Sequence, residues 1–153
     1  MSFIPGFKNL EQEMIKKVNR AAEDAASKAG PIFLDAIKGI TFNDAKNILL
    51  GSDDAATQYL NSRTYNSLYS EFKPVLQNSL NKVGALDLWT SAITKYNSLP
   101  LVNDINPDLA DHINTKALVG LFDLIEKKEA GIRTDVAQRT TGLLKKVFAE
   151  QDR

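Results

Sequence analysis

Apolar residues recur at steps of three and four along almost all of this 153-residue chain. That spacing puts them on one side of a helix, turn after turn, and no other regular structure accommodates it. Phe7, Leu10, Met14, Val18, Ala21, Ala25 and Ala29 form the first stripe and predict a helix over about 7–29. Gly30-Pro31 should break or bend it, because proline has no N–H and collides with the preceding turn. Ile32, Phe33, Ala36 and Ile37 then carry a second short helix that ends near Gly39. The alanines at 21, 22, 25, 26 and 29 offer a narrow face on which another helix can pack closely.

Punctuation residues divide the rest. Thr41 has the chemistry of an N-cap, with Asp44 three residues on, near the positive end of the helix dipole. Ala45, Ile48 and Leu49 follow, and Gly51 should stop that helix. Ser52 or Asp53 is expected to cap a long segment whose inner positions are Ala56, Tyr59, Leu60, Leu68, Tyr69 and Phe72. Pro74 predicts a kink or a fresh start, with Val75, Leu76, Leu80 and Val83 facing inward up to Gly84. Leu86, Trp89, Ile93 and Tyr96 mark a further helix, and residues 97–107, with Pro100 and Pro107, read as a loop. Asp108 should cap the next helix, striped by Ile113, Ala117, Leu118, Leu121, Phe122 and Ile125. After Gly131, Thr134 or Asp135 is expected to open a final helix with Val136, Thr140, Leu143, Leu144 and Val147 inward.

No stretch alternates apolar and polar residues for strand length, and no Asn-Gly or Asp-Gly hairpin turn occurs. The expected fold is therefore all-α, a single compact bundle of roughly six to eight helices, several of them short, with residues 1–153 forming one domain. Hydrophobic residues make up 43% of the chain and charged residues 25%, which suits a globular core. A domain of this size hides roughly 70% of the surface of its unfolded chain, so it needs no disulfide or metal staple.

Charge and composition narrow the function. Lys plus Arg and Asp plus Glu number 19 each, and the balance holds in both halves. A nucleic-acid binder needs a basic surplus to neutralise phosphates, so no nucleic-acid partner is expected. Without cysteine there is no thiolate nucleophile and no zinc site that needs one. No apolar run approaches the ~20 residues of a membrane span. The opening Met1-Ser-Phe-Ile-Pro-Gly lacks the basic and apolar regions of a secretory signal.

Few residues carry the marks of a chemical site. Asp104, Asn106 and Asp108 imitate the start of a calcium loop, but its sixth and twelfth positions fall on Leu109 and Thr115 rather than glycine and an acid. That mismatch points to a proline turn and a helix cap, and no metal or other cofactor is expected. His112 stands alone among Asp108, Asp111 and Lys116, with no nucleophile near it in sequence. The enzymatic alternative is a hydrolase using carboxylates such as Asp54 with Thr57 or His112, and the sequence assigns no catalytic residue. The arginines stand out, since there are only five. Arg20 interrupts an alanine-rich stretch, and Arg133 and Arg139 bracket the start of the last expected helix. Together with Tyr59 they are the candidate ligand-binding residues, suited to an anion or carboxylate. The structural reading of the same arginines ties helices together through Asp35, Asp54 or Glu129.

Several segments also share an order. They are Asn19-Arg20-Ala21-Ala22-Glu23, Pro31-Ile32-Phe33, Thr41-Phe42-Asn43-Asp44-Ala45 and Asp54-Ala55-Ala56-Thr57-Gln58-Tyr59-Leu60. Phe72-Lys73-Pro74, Lys116-Ala117-Leu118, Gly120-Leu121-Phe122, Ile132-Arg133 and Arg139-Thr140-Thr141 follow. In this order they resemble the bacterial family catalogued as domain of unknown function 4197, from Asn19 onward. The resemblance implies a periplasmic or other cell-envelope protein and supplies no reaction. Taken with the balanced charge, it makes a non-enzymatic module that binds a protein partner or a small ligand the leading expectation.

Overall fold

Thr41 and Asp44 build a helix start of the kind their spacing predicts. The Asp44 N–H donates to Thr41 Oγ1 at 3.1 Å, and the Thr41 N–H donates to the Asp44 carboxylate at 3.1 Å. This reciprocal capping box satisfies two amides that the first helical turn leaves over. Asp108 works similarly, its Oδ1 accepting the Asp111 N–H at 2.9 Å. Side-chain caps of this kind open several helices of the computed structural model, which describes residues 7–82 and 84–152. The protein is all-α. Among the described residues there are seven α-helices and one short 3-10 helix. They are α1 (Phe7–Ala26), α2 (Ala29–Lys38), α3 (Phe42–Leu49), α4 (Ala55–Asn81), α5 (Ala85–Asn97), α6 (Leu109–Thr134) and α7 (Gly142–Phe148). The inward placement expected of Phe7, Leu10, Met14 and Val83 concerns side chains outside the described set.

The chain falls into two compact units. One comprises the residues up to Gly30 and Ser67–Ala117; the other comprises Pro31–Asn66 and everything from Leu118 onward. In the first unit the alanine face expected on α1 is narrower than its five residues: Ala21 and Ala25 are almost completely inaccessible, Ala22 is half-buried and Ala26 is exposed. Leu80, Ala85, Leu109 and Ala110 form a buried cluster, and Val18, Leu86, Trp89 and Ile113 pack against it. In the second unit Leu118 and Phe122 are buried, and the Phe33 and Phe122 rings meet edge to face at 6.1 Å.

Proline and glycine act differently from expectation at two places, Pro31 and Gly131, and at Pro74 one of the two expected outcomes, a fresh helix start, does not occur. The break after α1 falls at Ser27-Lys28, and Pro31 lies inside the first turn of α2. There its missing N–H costs nothing, since first-turn amides have no helical acceptor. Pro74 starts no new helix: α4 runs through it. Leu68, Phe72, Leu76 and Leu80, at four-residue steps on either side of it, are all buried, while Pro74 itself is exposed. One lost hydrogen bond is outweighed by a buried apolar row of that length. Gly131 does not end its helix, because α6 continues to Thr134. The expected final helix is instead two pieces. Asp135 caps a 3-10 turn at Val136–Gln138, and Thr141 caps α7. Of the residues expected inward there, Leu144 is half-buried, but Val136, Thr140, Leu143 and Val147 are exposed.

Candidate functional site

The second unit concentrates its buried charge where three helix ends meet. The N-terminus of α4 has amides without helical partners, and Glu129 of α6 supplies the acceptors. The Ala56 N–H donates to Glu129 Oε1 at 2.8 Å, and the Thr57 N–H and hydroxyl both donate to Oε2 at 2.7 Å. A carboxylate from another helix therefore does the work of an N-cap, aided by the positive end of the α4 dipole.

Arg133, one turn further along α6, neutralises that carboxylate and closes a second helix end. Its Nε and one terminal nitrogen donate to Glu129 Oε1 at 3.0 and 2.7 Å. The remaining donors reach the Ile48 carbonyl at 2.6 Å, the Leu49 carbonyl at 3.1 Å and Gln151 Oε1 at 3.3 Å. Ile48 and Leu49 are the last residues of α3, where carbonyls lack helical donors and a cation is favoured. A guanidinium has five N–H groups, and all five are engaged within the protein.

Arg139 repeats the arrangement at the end of α6. It donates to the Ile132 carbonyl at 2.9 Å and the Arg133 carbonyl at 2.8 Å. Its two terminal nitrogens fork onto the Asp152 carboxylate at 2.5 and 3.0 Å. The ring of Phe148 lies 5.6 Å from the Arg133 guanidinium and 5.5 Å from that of Arg139. Both arginines are buried, whereas the Asp152 side chain is nearly half exposed.

The candidate residues are thus only partly brought together. Arg133 and Arg139 share one network, and of the three acids expected to pair with the arginines, Asp35, Asp54 and Glu129, it is Glu129 that binds Arg133. Tyr59, half-buried in the same unit, faces Arg63, whose guanidinium stands 5.5 Å from the ring. Arg20 belongs to the other unit and is exposed on α1. Asp54 accepts from Ser52 and Gln58, both at 2.6 Å, and the Thr57 hydroxyl is given to Glu129. His112 is exposed in the first unit. Gln151 and Asp152 are the members that sequence reasoning missed, because nothing in local spacing links them to arginines 18 and 13 residues away.

The first unit has a polar cluster of its own. The Tyr69 hydroxyl donates to Asp111, Lys73 donates to Asp108 at 2.9 Å, and Asn106 donates to Asp111 at 2.8 Å. The bond to Asp111 pushes the Tyr69 pKa up, and the bond to Asp108 pushes that of Lys73 up. Both groups are held in their protonated forms, the opposite of what a nucleophile or general base requires. Asn114, fully buried, donates to the Tyr69 carbonyl at 2.9 Å. Among the described residues no group of three or more His, Cys, Asp or Glu could hold a metal ion. No described helix is long and apolar enough to cross a membrane.

The buried carboxylate makes a prediction about acid. Burial pushes the Glu129 pKa up, but the bonds from Ala56, Thr57 and Arg133 outweigh it and leave the pKa below its usual value. A lowered folded pKa means that the unfolded chain takes up the proton first as pH falls. The contribution of Glu129 is therefore complete above the unfolded value of about 4.3 and is lost as pH falls through the folded value. Urea unfolding between pH 7 and pH 3 should show stability dropping over the lower part of that range. Glu129→Gln should be less stable at pH 7 and show a shallower acid limb. An unchanged acid limb in that variant would remove Glu129 from the explanation.

A search of curated proteins and of solved structures returned no match to this chain. The family comparison did: the model of the family described as "Protein of unknown function (DUF4197)" covers residues 1–149, and the chain belongs to that family.

Proposed function

We propose that this chain is a non-enzymatic helical module of the bacterial cell envelope that acts by binding a protein partner. The observation that carries the reading is where hydrogen-bonding capacity goes and where apolar surface does not. The groups best able to do chemistry, Glu129, Arg133 and Arg139, spend their donors and acceptors on the ends of α3, α4 and α6. Large apolar side chains meanwhile stand in solvent in the same unit. Phe42 is 85% exposed, and Leu34 and Ile37 of α2 are each half exposed. Leu34 and Ile37, three residues apart on α2, share one face, and a shared apolar patch rather than a lone side chain is the usual mark of protein contact. Envelope placement rests on the family resemblance.

A photo-crosslinking amino acid placed at Phe42 or Leu34 in the full chain, expressed in bacterial cells, tests the reading. We expect a discrete adduct of higher mass from these positions and none from the exposed polar position Asp123. Fractionation of the same cells should place the adduct with the envelope. Adducts no more abundant than at Asp123 would overturn the binding reading, and recovery in the cytoplasm would overturn the location.

A further inference from the structure

The segment that closes the arginine network is held by one edge of its apolar surface. Leu143, Leu144, Val147 and Phe148 form a continuous apolar arc on α7, with Lys145 and Lys146 opposite. Only Leu144 and Phe148 are half-buried; Leu143 remains 71% exposed and Val147 39%. A seven-residue helix has no stability of its own, so tertiary contacts must hold it. Beyond Leu144, those that stand out are Phe148 beside the two guanidinium groups, the Gln151 amide on Arg133 and the Asp152 carboxylate in the fork of Arg139. Asp152 lies one turn beyond Phe148, its N–H donating to the Phe148 carbonyl at 3.2 Å.

The receiving side is better anchored than the segment it receives. If the segment left, Arg133 would keep Glu129 and two carbonyls, and Arg139 would keep the Ile132 and Arg133 carbonyls. The Arg139 fork would then point at nothing, while its position stayed fixed. That is a preorganised carboxylate site with an aromatic seat beside it.

We infer that residues 142–152 are a displaceable strap, occupying the seat on Arg133 and Arg139 that an amphipathic helix of a partner protein, bearing a carboxylate for the Arg139 fork, takes when the strap is released. The strap itself states the chemistry of that helix: an apolar residue, an aromatic residue four further on and an aspartate four beyond it, as Leu144, Phe148 and Asp152 stand here. The inference rests on the reading of the chain as a protein-binding module and adds its partner chemistry and its regulation. Binding is held back by the closed strap, because the apparent affinity scales with the open fraction.

The test uses the full chain and a fluorescent peptide with the sequence of residues 141–152, followed by anisotropy. Asp152→Asn loosens the strap and leaves the seat intact. It should bind the peptide at least about tenfold more tightly than wild type does. A peptide with asparagine at the position of Asp152 should lose that gain on the same protein, a comparison that does not depend on any change in folding. Equal binding by wild type and Asp152→Asn, no binding by either, or equal binding of the two peptides would overturn the inference. A dimer forming without peptide uptake would overturn it in favour of strap exchange between two copies. None of these results bears on crosslinking at Phe42, so the strap can fail while the binding module stands.

Discussion

Arg133→Met should unfold about 3–5 kcal/mol more easily than wild type, the usual cost of removing one partner from a buried ion pair. Methionine keeps much of the volume and none of the donors. The Glu129 carboxylate, 7% exposed, would lose its counter-charge, and the Ile48 and Leu49 carbonyls would lose the groups that close α3. A stranded charge in a place largely closed to water dominates that sum. For a chain of this length the loss corresponds to a fall in melting temperature of about 10 °C or more. Arg133→Lys should fall between, because an ammonium has three donors and no planar fork. The variant with both Glu129→Gln and Arg133→Met should recover part of the loss, since no charge is left buried alone. Urea unfolding followed by circular dichroism measures all four proteins. If Arg133→Met lay within 1 kcal/mol of wild type, a threshold well below the usual range, the guanidinium could not be what ties α3, α4 and α6.

How much of this was legible from the residues depends on how far apart the partners are. The caps at Thr41 and Asp108 were legible because each finds its partner within three residues, and a capping box is a pattern in the chain itself. The buried rows were legible because helical spacing says which side chains share a face. What spacing does not say is how much of a face is covered. Leu143 and Val147 have the same pattern as Leu144 and lie in solvent, because α7 meets its unit along one edge. Pro74 shows a local rule losing to packing on both sides of it. The cap of α4 was illegible for the opposite reason: Glu129 is 73 residues from the amide it satisfies, and no periodicity encodes that pairing. Glu129 stood among three acids, with Asp35 and Asp54, that the arginines were expected to use in tying helices together; that it pairs with Arg133 four residues on was hidden by the helix end expected at Gly131, since α6 in fact carries both. The resemblance to a family of unknown function identified the chain without supplying any of this network.

The first unit offers a test as severe as that of Arg133, and one with no charge in it. Leu80→Ala should cost about 2–5 kcal/mol, toward the upper end of that range. The range reflects how far a site can collapse onto the atoms removed. Here the cluster around Leu80, itself fully buried, includes Ala85, Ala110 and Leu109. Alanine has no rotamer that could swing into a void, so two members of the cluster cannot relax to fill it. Trp89 packs against this cluster and is the only tryptophan in the chain, so its fluorescence reports the site without a label. Leu80→Met conserves most of the volume and should cost less than about 1.5 kcal/mol. Leu101→Ala, at a fully exposed leucine, should lie within about 0.5 kcal/mol of wild type. The three variants differ in burial and in volume removed, not in hydrophobic character. A Leu80→Ala protein as stable as Leu101→Ala would therefore mean that the α4–α5–α6 cluster is not the core of its unit, and that the row from Leu68 to Leu80 does not explain why α4 survives Pro74.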